Sequence, residues 1–176
     1  IALNYITLTG HGNLRACVAG YQDKKLSESE RRAMRTLLKE SVSEGSIGMS
    51  TGLIYPPGIY ADTEELIDLC KSLKYIDNNR SGIYTSHMRS EGDRLIESIE
   101  ETMRMAREAG IRVHISHFKT SGKRNWNKID HALSITKMAR DEGIDITCDR
   151  YPYTAASTDL DTVLPSWIYE GGAEQE

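Results

Sequence analysis

Two histidines in this sequence carry the clearest chemical signal. His87 and His117 stand 30 residues apart, and each follows a serine. Each also closes a run rich in β-branched and aromatic residues, GIYTSH at 82–87 and RVHISHF at 112–118. Such runs read as strands, and these two are consecutive. Neighbouring parallel strands lie about 4.8 Å apart, so imidazoles at two adjacent strand ends can meet at one ion. Zinc takes imidazole nitrogen at about 2.0–2.1 Å. A pair of polar histidines bonded to loop backbone fits the same pattern; the matched placement brings the metal level with it, and spacing alone does not choose between them. Strand parity groups His87 with Ile83 and Thr85, and His117 with Val113 and Ile115. If those apolar residues face covering helices, both histidines need a turn to redirect them, and His114 with Ser116 becomes the inward pair. Periodicity leaves that choice open.

Other candidates cluster after the same strand ends. Lys119 follows His117 by two residues and reads as a carboxylate partner or as a solvated lysine. Arg89 and Glu91 follow His87 and read as the same kind of site or, by preference, as a structural ion pair. Asp149 ends a further strand, as a carboxylate behind the site or as a helix cap. Tyr151 and Tyr153 flank Pro152; a phenol there can donate to a carbonyl oxygen as negative charge develops on it, or simply pack. His11 sits between two glycines and reads as a turn residue, His131 as a surface residue of a helix. Cys17 and Cys70 read as structural, Cys148 as a small buried residue.

The elements that must hold these residues repeat along the chain. Strand-like runs occur at 4–9, 46–53, 82–87, 112–118 and 144–149. Between them lie helical runs. One spans 28–44, with a Ser27/Glu30 capping-box pattern and Gly45 past its end. Another spans 62–75, with Leu66, Leu69, Cys70 and Leu73 at helical spacing. A third spans 93–109, with Leu95, Ile96, Ile99, Met103 and Ala106 on one face and Gly110 as the stop. The last spans 126–142, with Ile129, Ala132, Leu133, Thr136 and Ala139 facing inward and Gly143 beyond. Strand–helix–strand units of this length force parallel pairing. The fold class is therefore α/β with a parallel sheet. No G-x-G-x-x-G follows the first strand, and no phosphate-binding G-x-x-x-x-G-K-[ST] occurs, which lowers a nucleotide-binding open sheet. Polar residues gather instead at successive strand ends, Ser50-Thr51, Ser86-His87, Ser116-His117 and Asp149. In a (β/α) barrel those ends converge on one mouth. The 176 residues suit one domain but fall short of the roughly 200 of a complete barrel, so the expectation is a partial barrel of about five strands, one domain over 1–176.

The net charge of −4 shows no clustered basic face, which argues against a nucleic-acid partner. No apolar run approaches membrane length, and no signal peptide is visible. Three cysteines without close spacing point to reduced thiols and a cytoplasmic location.

Five blocks resemble one family: LTGHGNLR (8–15), EGSIGMSTGLIYPPGIYA (44–61), TSHMRSEG (85–92), ISHFK (115–119) and DRYPYTAAST (149–158), with LPSW (164–167) beyond them. In that order they resemble the N-acyl-D-amino-acid deacylase (D-aminoacylase) family of the amidohydrolase superfamily. The resemblance implies a zinc-dependent barrel that hydrolyses N-acyl-D-amino acids to a carboxylate and a D-amino acid. It assigns His87 and His117 as zinc ligands, and Lys119, Ser157 and Tyr55 as substrate-binding residues. It places Tyr151 beside the scissile carbonyl as a catalytic group. The chain departs from the family by lacking an H-x-H pair after a first strand, an upstream cysteine ligand, the late catalytic Asp and a carboxylate-binding Arg. Those departures imply a middle piece of a longer enzyme, inactive alone and prone to self-association through open strand edges. The alternatives are a cyclic amidase of the hydantoinase or dihydroorotase kind, or a non-catalytic barrel that binds without turnover.

Overall fold

The computed structural model describes residues 2–74, 76, 81–165 and 168. Five strands form one sheet: β1 (Thr7–Gly10), β2 (Ser46–Gly52), β3 (Ile83–His87), β4 (Arg112–Ile115) and β5 (Ile146–Cys148). They lie in the order β1-β2-β3-β4-β5, and every neighbouring pair is parallel. An open doubly wound sheet reverses its strand order at a switch point. Here the order never reverses, so the sheet is one continuous arc of a barrel. The helices are α1 (His11–Ala19), α2 (Glu28–Ser43), α3 (Thr63–Lys71), α4 (Leu95–Ala109) and α5 (Ile129–Asp141).

The helices cover one face of the sheet. Met49 and Thr51 of β2, Tyr84 and Ser86 of β3, and Val113 and Ile115 of β4 are buried on that face and pair across the register. Their alternates Ser50, Thr85 and His114 lie half-buried on the other side. Leu66, Ile67, Leu69, Cys70 and Leu73 from the α3 region and Leu95, Ile99, Met103 and Ala106 of α4 complete the core. Close approach of β2 to β3 explains Gly48: a Cβ there would fall 2.0 Å from the Ile83 carbonyl oxygen.

The helix boundaries follow from local chemistry. Ser27 caps α2 in a full capping box with Glu30, and Asp62 caps α3 through the Glu65 N–H at 2.8 Å. Gly110 takes φ 65° and ends α4, because a left-handed C-cap costs glycine no Cβ clash.

Several sequence expectations change. His11 is no turn residue; it opens α1, a helix that GHG appeared to forbid, and it is fully buried. Leu133 is 49% exposed, and α5 instead faces the core with Ala132, Thr136 and Ala139. Cys148 is exposed rather than buried, because β5 stands at the edge of the arc. Cys17 is exposed as well. Part of the LPSW block, residues 166 and 167, lies outside the described residues.

Candidate metal centre

β3 delivers His87 directly. Its helix-facing residues are Tyr84 and Ser86, so simple alternation puts His87 with Ile83 and Thr85 on the opposite face. The choice that periodicity left open is thus resolved for His87, which needs no redirecting turn. His87 pairs in register with Gly52, and the Leu53 N–H donates to its carbonyl at 3.2 Å. His117 does need the turn. Val113 and Ile115 face the helices, β4 ends at Ile115, and His117 adopts φ 41°. Left-handed backbone is uncommon outside glycine, though histidine enters it more readily than most residues.

Asp149 holds that bend. Its Oδ1 accepts the His117 N–H at 2.5 Å, and its Oδ2 lies 3.0 Å from His114 Nε2. The Phe118 N–H donates to the Asp149 carbonyl at 2.8 Å. The hydrogen bond to His114, helped by the His117 N–H, keeps the Asp149 carboxyl below the usual carboxylate range, against its partial desolvation. Of the two sequence readings of Asp149, the supporting carboxylate behind the histidines is the one the geometry matches; it caps no helix.

The two imidazoles meet. His87 Nδ1 lies 2.8 Å from His117 Nε2, and the rings stand edge to face with centroids 4.5 Å apart. Burial pushes the His87 imidazole pKa down; Glu91 opposes this, while His117 and Lys119 add to it. A neutral ring is the form that binds a metal. Glu91 completes a cluster in which one ligand atom from each of His87, Glu91 and His117 lies within 4.8 Å of the others. His87 Nε2 and Glu91 Oε1 are buried without a hydrogen-bond partner among the described residues. Unpaired buried donors and acceptors are costly, and an ion beside His87 would satisfy its orphaned nitrogen. Two imidazoles in contact, with the Glu91 carboxylate behind His117, fit zinc chemistry.

Glu91 was not recovered as part of this cluster from sequence, where it was paired with Arg89. Arg89 instead pairs with Glu101 at 3.1 Å and donates to the Ile59 and Ala61 carbonyls. Glu91 Oε2 reaches Lys119 Nζ at 2.5 Å, and Oε1 lies 2.6 Å from His117 Nδ1. The signal was its place four residues past a strand-end histidine, in the loop that meets the next strand end.

The remaining candidates surround the histidines. The Tyr55 ring is tilted against His87 at 5.5 Å between centroids, and its hydroxyl lies 2.7 Å from Thr158 Oγ1. Gly52 makes room for that ring, since a Cβ would fall 2.9 Å from it. Lys119 Nζ sits 5.5 Å from the Tyr151 ring centroid. His117, Lys119, Tyr151, Tyr153, Phe118 and Trp126 line a cavity of about 770 Å³, a size typical of small-ligand sites. Ser157 is exposed and outside that cavity lining.

A second cluster, also missed from sequence, lies beneath the Tyr55 loop. Glu65 Oε1 lies 2.9 Å from His11 Nε2, and its Oε2 accepts from Arg15 at 2.5 Å. Arg15 also donates to the Lys24 carbonyl at 2.6 Å. All three side chains are buried, so α1 and α3 are tied together through an internal ion pair.

Fold and site together define one side of a (β/α) barrel with a candidate metal site at its mouth. Comparison with known proteins agrees and narrows this. No family model matches the chain. D-aminoacylase of Alcaligenes xylosoxydans xylosoxydans is 40% identical over 161 residues, covering 90% of this chain and 32% of that protein. N-acyl-D-aspartate deacylase of the same organism is 38% identical over 91% of this chain and 32% of its own length. A crystal structure of D-aminoacylase superposes with TM-score 0.82 at 37% identity, over 88% of this chain and 32% of that one. N-acyl-D-glutamate deacylase from Bordetella bronchiseptica, complexed with zinc and a phosphonate inhibitor, gives 0.80 at 32% identity over 86% and 31%. The resemblance read from the five blocks holds: over about nine-tenths of its length the chain is similar to D-aminoacylase and related N-acyl-D-amino-acid deacylases, and it spans about a third of the length of those relatives.

Proposed function

We propose that this chain supplies the middle strands of a zinc-dependent amidohydrolase that converts N-acyl-D-amino acids to a carboxylate and a free D-amino acid. The carrying observation is the convergence of His87, His117, Lys119 and Tyr151 at one end of a parallel arc, in a chain that matches D-aminoacylases over nine-tenths of its length. His87 and His117 hold the zinc, which when bound polarises the acyl carbonyl as a Lewis acid. Lys119 presents its ammonium to the substrate carboxylate and fixes the orientation of the amide. Tyr151 donates its phenol proton toward the carbonyl oxygen as charge builds on it. Tyr55 walls the pocket beside His87, and Ser157, next to the Thr158 that Tyr55 bonds, contacts the substrate.

By the family resemblance the proton acceptor is a late Asp that this sequence does not contain, so the 176 residues alone are expected not to turn over. The open edges of β1 and β5 favour self-association. No helix among the described residues is long and apolar enough to cross a membrane, and the three free cysteines suit the cytoplasm. The test is hydrolysis of N-acetyl-D-amino acids, their L-enantiomers and hydantoins by the gene product that contains this chain, with the isolated chain beside it. Release of D-amino acids by the former alone is expected. Hydantoin opening in preference, or turnover by the isolated chain, contradicts the reading.

A further inference from the structure

Glu91 stands between two residues whose roles conflict. Lys119 Nζ lies 3.0 Å from His117 Nδ1, within reach to donate to it. If it does so, the neutral imidazole must carry its proton on Nε2, the nitrogen that faces His87. That tautomer has no lone pair to offer a metal there. Glu91 reverses the arrangement. Its Oε2 draws the Lys119 ammonium at 2.5 Å, and its Oε1 stands 2.6 Å from Nδ1. This Oε1 carries no other hydrogen bond, so it is open to an Nδ1–H at that distance.

The carboxylate is also fixed in place. The Ser121 N–H donates to the Glu91 carbonyl at 2.7 Å. Two residues on, Asp93 accepts from Arg124 Nε at 2.7 Å and from Asn125 at 3.1 Å, and Lys128 donates to its carbonyl at 2.7 Å. The loop after β3 is thus bolted to the loop after β4, which carries both His117 and Lys119. Only 12% of the Glu91 side chain is exposed, so its charge needs these partners.

We propose that Glu91 is a positioning residue that selects the Nδ1–H tautomer of His117, leaving Nε2 free for the ion, and at the same time restrains Lys119 at the substrate end. The inference rests on the metal reading above. A carboxylate behind a ligating histidine fixes ring orientation and raises basicity, and its loss costs about 10–100-fold in metal affinity.

The experiment titrates zinc into the 176-residue chain against a chromophoric chelator, for wild type, Glu91→Gln and Glu91→Gln/Lys119→Met. Long-range ¹H–¹⁵N spectra of the metal-free wild type report the His117 tautomer without any substitution. The expected results are a proton on Nδ1, about 10–100-fold weaker zinc binding in Glu91→Gln, and substantial recovery in the double variant, where no ammonium competes for Nδ1. A merely structural glutamate would not be rescued by removing Lys119. A proton on Nε2, an unchanged affinity in Glu91→Gln, or a double variant no tighter than the single one overturns the proposal. Absence of zinc binding in the wild type overturns the metal reading and this one together.

Discussion

Replacing Glu65 with alanine removes the centre of the buried cluster between α1 and α3. Arg15 has no exposed surface, and its Nε already lacks a partner among the described residues. Without Glu65 the guanidinium keeps only the Lys24 carbonyl, 2.6 Å from one nitrogen. Breaking a buried pair from one side costs about 3–5 kcal/mol, because the other charge is left uncompensated. Glu65 also sits in the first turn of α3, where a negative charge adds a further few tenths to about 1 kcal/mol. Glu65→Gln keeps the shape and an acceptor for Arg15, so its cost falls to about 1.5–3 kcal/mol. A chain of this size shifts its midpoint by about 2–4 °C per kcal/mol. Glu65→Ala should therefore melt about 6–20 °C below wild type. The assay is thermal and urea unfolding followed by circular dichroism, with Arg15→Met/Glu65→Leu/His11→Phe as control. An apolar cluster of similar volume is often neutral or stabilising, so the triple variant should regain most of the loss. A cost below about 1 kcal/mol for Glu65→Ala, outside the range for such a pair, would refute the reasoning.

The left-handed backbone at His117 should strain any L-residue there. His117→Gly should exceed His117→Ala in metal-free stability by about 1 kcal/mol, read from denaturant midpoints; equal stabilities would show that the bend carries no strain. Glu30 is held down to about 2, first by its bond to Lys24 and then by the Ser27 N–H and hydroxyl. A depressed folded pKa contributes stability that is present above the ordinary carboxylate pKa and lost as pH falls toward the folded value. Wild type should therefore lose stability on acidification from about 5 toward 2 in a component that Glu30→Gln lacks, measured by thermal melts across that range.

The sequence disclosed whatever depends on local pattern. The four long amphipathic helices, the Ser27/Glu30 box, and the glycine stops at Gly45, Gly110 and Gly143 all appear. The even spacing of strand ends told of parallel pairing, because only a covering helix fills such gaps. α1 stayed hidden because glycines flank His11 and lower helix propensity; burial of His11, Leu14 and Arg15 overrides that locally. Periodicity left the orientation of His87 open because Ile83 is apolar yet faces away from the helices, while Tyr84 and Ser86, both polar, face them within a hydrogen-bonded set with Thr51. Glu91 and Glu65 were illegible for a different reason: their partners lie 28 and 50 residues away along the chain, and only the folded arc brings those charges together.

His87 and His117 are proposed to hold one metal ion between them. Zinc K-edge absorption spectroscopy of the zinc-loaded chain tests it most directly, compared with His87→Ala and His117→Ala. Two imidazole nitrogens are expected at about 2.0–2.1 Å, reduced to one in either variant. A shell containing sulfur at about 2.3 Å, or one indifferent to both substitutions, would contradict it.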